Sequence, residues 1–112
     1  MMPTAFGYLR LEDGESEEDV NRLHDVLSDH AEREGLALAE VFVDRNMCSD
    51  QVIGPGLTVL LEAVRRDGRA VVLLSKWEHL AASASARHAI TAVVVNLGGR
   101  IQAVEPISEP TP

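Results

Sequence analysis

The chain has 112 residues, the size of one domain, and its 46% hydrophobic and 25% charged residues are typical of a globular protein in water. Its formal net charge is −8, Lys76 is the one lysine, and apart from Arg65, Arg66 and Arg69 the arginines are scattered. Proteins that hold a phosphate backbone carry clustered Lys and Arg, so nucleic-acid binding by this chain alone is disfavoured.

The cysteine count and the first residues bear on the compartment. The single cysteine, Cys48, leaves no internal disulfide, which fits a reducing cytoplasm. The first residues show no basic segment followed by a long apolar core, and no apolar run reaches the roughly 18 residues of a membrane span. Arginine used in preference to lysine, together with many alanines, is typical of a GC-rich bacterial genome. We therefore expect a cytoplasmic, bacterial protein.

In chain order, the hydrophobic pattern predicts strands and helices in alternation. The predicted strands are residues 5–11, 36–43, 70–75 and 100–104, and the predicted helices are residues 17–34, 57–66 and 81–97. Glu40 interrupts the alternation of the second strand, and the run Val93-Val94-Val95 has low helix propensity within the last helix.

The boundaries of these elements carry recognisable signals. Ser16 followed by Asp19 resembles a capping box, and Gly35 suits the left-handed position that ends a helix. Residues 44–55 are predicted to be a long loop, which is often functional in a compact domain. Residues 106–112 are rich in proline and are predicted to be a disordered tail, so the domain is expected over residues 1–105.

The stretch 70–74 is apolar at every position, as is usual for the middle strand of a parallel sheet covered on both faces. The β-α-β-α-β-α-β order then predicts an α/β fold, a three-layer αβα sandwich with a mostly parallel four-stranded sheet and helices on both faces. In such folds ligands bind beyond the carboxyl ends of the strands, so residues 75–83 are the first place to seek a site.

Four segments follow one another in the order and spacing of a known family: residues 7–11 (GYLRL), 41–44 (VFVD), 54–57 (GPGL) and 72–83 (VLLSKWEHLAAS). The sequence resembles the catalytic domain of serine recombinases, the resolvases and invertases, from about residue 5 to about residue 105. The register without gaps from Val43 through Ser83 is the strongest part of the resemblance. It implies a resolvase-like fold and chemistry that uses neither a metal nor a cofactor.

The resemblance also implies where a site would lie. In this family a serine attacks a DNA phosphodiester and forms a phosphoserine link, while several arginines stabilise the charge that builds on the phosphate. Tyr8 and Arg10 match the family pattern. The other family-site positions hold different residues: Glu12 replaces the nucleophilic serine, Gly54 replaces one arginine, and Glu78, His79 and Ala82 fall in the Asp-Arg-Leu-x-Arg motif.

These replacements predict that recombinase chemistry is lost. A carboxylate at Glu12 is not the same nucleophile and repels a phosphate, and removing one transition-state contact typically costs about 3 kcal/mol. The family places a long helix for dimerisation and DNA contact, and then a helix-turn-helix module, after the domain. Because the sequence given ends at Pro112 in a proline-rich stretch, we expect neither here.

Several assignments of the individual side chains stay open. Arg10 either binds an anion at the end of its strand or forms an ion pair with Glu12 or Asp44. Glu12 and Glu78 are either an acid/base pair, which requires burial to raise a pKa, or solvated and capping acids.

His79 is either catalytic or a surface histidine, and Ser16, Ser75 and Cys48 are candidate partners for it by proximity alone. The spacing of His24, His30, His79 and His88 matches no metal-ligand pattern, and Trp77 is either core or an interface anchor. The pair Glu12-Asp13 also resembles the acidic pair of receiver domains, but Ser75-Lys76 and the chain length argue against that fold. No glycine-rich phosphate-binding motif is present.

Three hypotheses about function follow. The first is a resolvase-like interaction or regulatory module without recombinase catalysis, self-associating as a homodimer or binding a protein partner through its last helix and tail. The second is a small enzyme or anion-binding protein with a remodelled site at Arg10. The third is an accessory protein to an active site-specific DNA recombinase.

Overall fold

A computed structural model of the chain describes residues 2–11, 16–45, 53–81 and 83–104. Four parallel strands form its central sheet, in the order β2-β1-β3-β4. The strands are β1 (Thr4–Arg10), β2 (Ala37–Asp44), β3 (Val71–Leu74) and β4 (Arg100–Ala103), and the helices are α1 (Glu17–Arg33), α2 (Pro55–Asp67) and α3 (Ala84–Asn96). A short 3₁₀ helix, Trp77–His79, lies between β3 and α3.

Each face of the sheet packs against helices, so the predicted three-layer αβα sandwich is confirmed. On one face α1 packs on a core that includes Leu9, Leu27 and Leu73. On the other face α2 and α3 share a core that includes Leu60 and Val94, with further members Tyr8, Phe42, Leu57, Val64, Val72, Leu74 and Ile90. All four residues of β3 are buried, as expected for a central strand between two helical layers.

The helix boundaries follow local capping. Ser16 and Asp19 form the predicted capping box: the Ser16 hydroxyl accepts from the Asp19 backbone N–H at 3.2 Å, and the Asp19 carboxylate accepts from the Ser16 N–H at 3.1 Å. The last helix begins at Ala84 rather than at 81, because Ser83 is its N-cap and accepts from the Ala86 N–H at 3.1 Å. Residues 77–79, just before the predicted start of that helix, form the 3₁₀ turn.

The second strand runs one residue further than predicted. Its register with β1 shifts between Ala5 and Phe6, which pair with Leu38 and Glu40 and leave Ala39 as an extra residue. This irregularity lies beside Glu40, where the sequence alternation is interrupted. Asp44, which was assigned to the loop, is the last residue of β2 and pairs with Arg10 in the sheet.

Residues 46–52 of the predicted loop and the predicted tail, residues 106–112, lie outside the described residues. In the described ranges no helix combines the length and apolarity needed to cross a bilayer.

Candidate functional site

The carboxyl edge of the sheet holds an unusual set of side chains. Within the described ranges the buried polar or charged residues are Arg10, Asp44 and Ser75, which are 9%, 3% and 3% exposed. They follow or end three adjacent strands, β1, β2 and β3. Burying polar groups costs free energy unless they are hydrogen-bonded, so their collection at one edge marks the place where the fold accommodates polar chemistry.

The Asp44 side chain connects several elements at this edge. Its carboxylate accepts a hydrogen bond from the Tyr8 hydroxyl at 2.7 Å, from the Gly56 backbone N–H at 2.7 Å and from the Leu57 backbone N–H at 3.0 Å. Tyr8 lies on the neighbouring strand and is 1% exposed. One carboxylate therefore joins β1, β2 and the start of α2.

The start of α2 is capped by a residue from outside the helix. Its own N-cap, Gly54, has no side chain to accept a hydrogen bond, and Pro55 at the first helical position has no N–H to donate. Asp44 accepts instead from the N–H groups of the second and third helical residues, which are the usual partners of an N-cap side chain. The negative charge also lies at the positive end of the helix dipole.

The two glycines that flank Pro55 make room for this carboxylate. A Cβ on Gly54 would lie 2.5 Å from Asp44 Oδ2, and a Cβ on Gly56 would lie 2.9 Å from Asp44 Oδ1. Gly54 has a φ of −92°, which any residue adopts, so the constraint there is one of space rather than of backbone conformation. The Gly-Pro-Gly sequence thus follows from the position of Asp44.

Tyr8 is held in its protonated form. Burial, the hydrogen bond to Asp44 and the negative charge of Asp44 all raise the pKa of Tyr8 well above its ordinary value, and the charge of Arg10 lowers it by a smaller amount. The phenol is therefore a hydrogen-bond donor inside the fold at neutral pH and not a nucleophile.

The 3₁₀ helix contributes the remaining candidate side chains. It contacts β1, and Trp77 packs against the core that α2 and α3 share, as one of the two predictions for this residue had it. Glu78 is exposed and His79 is partly buried. Behind them the Arg87 guanidinium donates to the Ala81 carbonyl at 3.0 Å, which ties α3 to the end of this segment.

The structure brings three of the predicted site residues, Tyr8, Arg10 and Gly54, to one edge, with Glu78 and His79 in the adjoining turn. Glu12 and Ala82 lie outside the described residues. Sequence reasoning did not assign the central position to Asp44. No local signal marks this role, because the helix start that Asp44 caps belongs to another element, eleven residues further along the chain.

The chemistry available at this edge is limited. Arg10 supplies one guanidinium, the Asp44 carboxylate is engaged by three donors, and the Tyr8 hydroxyl is engaged by Asp44. In the part of the chain that the structure describes, no three His, Cys, Asp or Glu side chains converge to hold a metal ion. That neither metal nor cofactor takes part stays a prediction.

Solved structures similar to this one include catalytic domains of serine recombinases. The C-terminal catalytic domain of ISC1926 TnpA, an IS607-like serine recombinase, superposes on this chain with a TM-score of 0.76 at 22% identity. The match covers 95% of this chain and 70% of the TnpA chain. The N-terminal catalytic domain of TP901-1 integrase gives 0.78 at 18% identity, over 90% and 76% of the two chains. The first ORF in transposon ISC1904 from Sulfolobus solfataricus P2 gives 0.70 at 14% identity, over 96% and 71%.

No protein-family model matches the sequence. No curated protein matches it either. The structural matches confirm the predicted resemblance at the level of the fold: this chain has the four-stranded parallel sheet and three helices of a serine recombinase catalytic domain.

Proposed function

We propose, from the fold it shares with the catalytic domains of serine recombinases, that this chain is a cytoplasmic recombinase-like module that has lost phosphodiester chemistry and acts by binding other proteins. The proposal rests on two features of the chain. The fold is intact, and the residues that react in the family are replaced at the positions that the resemblance assigns to them. The sequence places Glu12 where the resemblance requires a serine, and Arg10 is the one arginine kept among the family-site positions.

The observation that supports this proposal most strongly is the space at Gly54. The resemblance assigns an arginine of the phosphate clamp to this position. In this chain the nearest oxygen of Asp44 lies 2.5 Å from where a Cβ would be, so no side chain fits there while Asp44 caps α2. The replacement of the arginine is thus built into the packing of the edge.

The electrostatics of the site also supports the loss of phosphodiester chemistry. A phosphoryl transition state gathers negative charge, which recombinases of this family meet with several guanidinium groups. Arg10 alone supplies one such group, and each missing contact typically costs about 3 kcal/mol of transition-state stabilisation. Each such loss lowers the rate by a large factor, and the factors for several lost contacts multiply. We therefore expect a rate of phosphodiester cleavage too slow to observe.

A covalent-trapping assay tests the loss of chemistry. The protein is incubated with supercoiled DNA, quenched with detergent and separated by electrophoresis, with an active full-length serine recombinase as the positive control. We expect no relaxed or linear DNA and no protein–DNA adduct from this chain. An adduct that disappears on Ser75→Ala or Ser16→Ala, or on any other single serine replacement, would overturn the proposal and identify the nucleophile.

A second candidate function is supported by the burial of Arg10. Arg10 is 9% exposed as a residue and ends its strand at the carboxyl edge, which is where anion-binding groups lie in α/β sheets. This hypothesis predicts a thermal shift with inorganic phosphate or nucleotides that is lost in Arg10→Gln and kept in Arg45→Gln, an exposed arginine just after β2. A shift that both variants keep, or no shift in the parent chain, counts against it.

For the binding role, the outward surface of α3 is the natural contact. Val93 and Val95, which flank the buried Val94 on its two sides, are 44% and 58% exposed, and the helix has no acidic residue. We propose that this surface mediates a homodimer or contact with a protein partner. A pull-down with a full-length active recombinase tests the accessory role: retention that is lost on Val95→Asp supports it, whereas retention that persists in that variant argues for another surface.

A further inference from the structure

Three side chains join the end of α1 to β4, which is an edge strand of the sheet. His30 lies in the last turn of α1, Glu34 is the C-cap of that helix, and Gln102 lies in β4. The Gln102 side-chain nitrogen lies 2.8 Å from His30 Nε2 and donates to Glu34 Oε1 at 3.1 Å. Among the described residues these are the side-chain hydrogen bonds between α1 and β4, and we call the three residues the Gln102 bridge.

The amide group of Gln102 decides which form of His30 fits this arrangement. A carboxylate only accepts hydrogen bonds, so the Gln102 atom that lies 3.1 Å from Glu34 Oε1 is the NH₂ nitrogen and not the carbonyl oxygen. One of its two hydrogens goes to Glu34 and the other is directed at His30 Nε2, which must accept it with a lone pair. The bridge therefore requires a neutral His30 that carries its proton on Nδ1.

A protonated His30 does not fit the same arrangement. Both ring nitrogens then carry a hydrogen, so the Nε2–H group meets the Gln102 N–H group and the contact at 2.8 Å becomes repulsive. A different partner for the charged ring is already close, because Glu34 Oε1 lies 3.9 Å from His30 Nε2. Protonation therefore favours an ion pair of His30 with Glu34 inside α1, and Gln102 loses its acceptor on the ring.

Two further charged groups lie along these elements. Arg33 follows His30 by three residues on α1, Arg100 precedes Gln102 by two residues on β4, and both arginines are exposed. The β3 residue that pairs with Gln102 in the sheet is the apolar Leu73. A guanidinium only donates hydrogen bonds, so neither arginine can replace His30 or Glu34 as an acceptor for the Gln102 amide.

We propose that the Gln102 bridge is a pH-dependent connection between α1 and β4. Above the pH range in which histidine titrates, the bridge fixes the end of α1 to the edge strand. Below that range His30 pairs with Glu34, and the side-chain connection to β4 is lost. Neither the carboxyl-edge site nor the outward surface of α3 takes part, so this proposal is independent of the proposed function.

NMR spectroscopy of the ¹⁵N-labelled chain, titrated from about pH 8 to about pH 5, tests the proposal across the range in which histidine titrates. At the upper end we expect the His30 ring to carry its proton on Nδ1. On acidification we expect the Gln102 side-chain amide signals to shift along the same curve as the His30 ring signals. A neutral His30 with its proton on Nε2, or Gln102 signals that do not follow the ring, would overturn the proposal.

Two histidine variants identify the titrating group. His30→Phe removes the acceptor and the proton, so the Gln102 amide signals are expected to stay constant over the same pH range. His88→Phe is the matched control, since His88 is an exposed histidine of α3, and it is expected to keep the pH-dependent shift of Gln102. A shift that persists in His30→Phe would assign the effect to another group and exclude the proposal.

A double-mutant cycle measures the connection itself. His30→Phe, Gln102→Met and the double variant are unfolded in urea at about pH 8 and at about pH 5. At the higher pH we expect a coupling of about fivefold in the unfolding equilibrium constant, which is typical of one hydrogen bond. At the lower pH we expect no coupling, because the bridge has already been broken by protonation. Equal coupling at both pH values, or none at the higher one, would contradict the proposal.

Discussion

At the residue scale, Asp44 sets the geometry of the carboxyl edge. The residue is 3% exposed, and its carboxylate accepts from one hydroxyl and two backbone N–H donors of β1 and α2. A buried carboxylate is tolerated only when it is bonded in this way, and its removal leaves each donor without an acceptor.

Replacing this carboxylate is expected to destabilise the fold strongly. Asp44→Ala leaves the Tyr8 hydroxyl and the N–H groups of Gly56 and Leu57 unsatisfied, so we expect a loss of about 3 kcal/mol in the free energy of unfolding measured in urea. The control Asp25→Ala, at an exposed position of α1, is expected to stay within about 0.5 kcal/mol of the parent chain. A cost below about 1 kcal/mol for Asp44→Ala would show that the network contributes little.

Gly54 and Asp44 are expected to be coupled. Gly54→Ala places a methyl group 2.5 Å from Asp44 Oδ2, and overpacking of this kind costs about 1–3 kcal/mol. When Asp44→Ala is already present the space is free, so the double variant should cost less than the two single changes together, by at least about 1 kcal/mol. Additive costs in this double-mutant cycle would contradict the account of why glycine stands where the resemblance assigns an arginine.

The phenol of Tyr8 gives a pH-dependent signal. Burial and Asp44 raise its pKa above the ordinary value near 10, so the folded state holds the proton more tightly than the unfolded chain does. The stability that Tyr8 contributes is therefore complete below pH 10 and is lost as the pH rises beyond it. Since the chain has one tyrosine, tyrosinate absorbance reports this group alone.

We expect tyrosinate to appear together with loss of the circular-dichroism signal during alkaline titration, and Tyr8→Phe to reduce the dependence of stability on pH above 10. Tyrosinate that appears near pH 10 in a chain that is still folded would show an accessible phenol instead.

At the scale of the elements, the α2–β3 and α3–β4 turns meet through glycine. Gly98 has a φ of +92°, and a Cβ there would lie 2.2 Å from the Gly68 carbonyl oxygen. Gly35 has a φ of +69° with open space around it, so the two positions share a left-handed backbone and differ in their surroundings.

This difference makes a matched comparison. Gly35→Ala is expected to cost about 1 kcal/mol, which is the cost of the left-handed conformation alone. Gly98→Ala adds a collision with backbone atoms that cannot turn aside, so we expect at least about 3 kcal/mol in urea unfolding. Equal costs at the two positions would show that the turns separate without penalty.

The elements themselves could be predicted because periodicity and capping are local. The buried β3, the capping box of Ser16 and the helical spacing in α1 depend on residues within one turn or one strand. The start of α2 could not be placed, because its cap comes from Asp44, eleven residues before Pro55, at the end of another element. The contact between the α2–β3 and α3–β4 turns could not be predicted either, since the Arg100 N–H and the Ala70 carbonyl that join them are far apart in the sequence.

At the scale of the whole molecule, the structural matches support the fold, whereas the role of the site is a proposal. The four-stranded parallel sheet with helices on both faces matches the fold of serine recombinase catalytic domains, and the sequence resemblance placed the chain there because patterning survives where side-chain chemistry changes. The role of the site depends on particular residues, and the replacement of several of those that the resemblance assigns to the family chemistry stays a prediction.

The central claim is that this scaffold no longer cuts a phosphodiester, and one measurement addresses it directly. The protein is incubated with supercoiled DNA, the DNA is digested with nuclease, and the intact mass of the chain is recorded. We predict the mass of the unmodified chain alone, at every DNA concentration. A species heavier by a nucleotide phosphate, with the added mass located on a serine, would contradict the account.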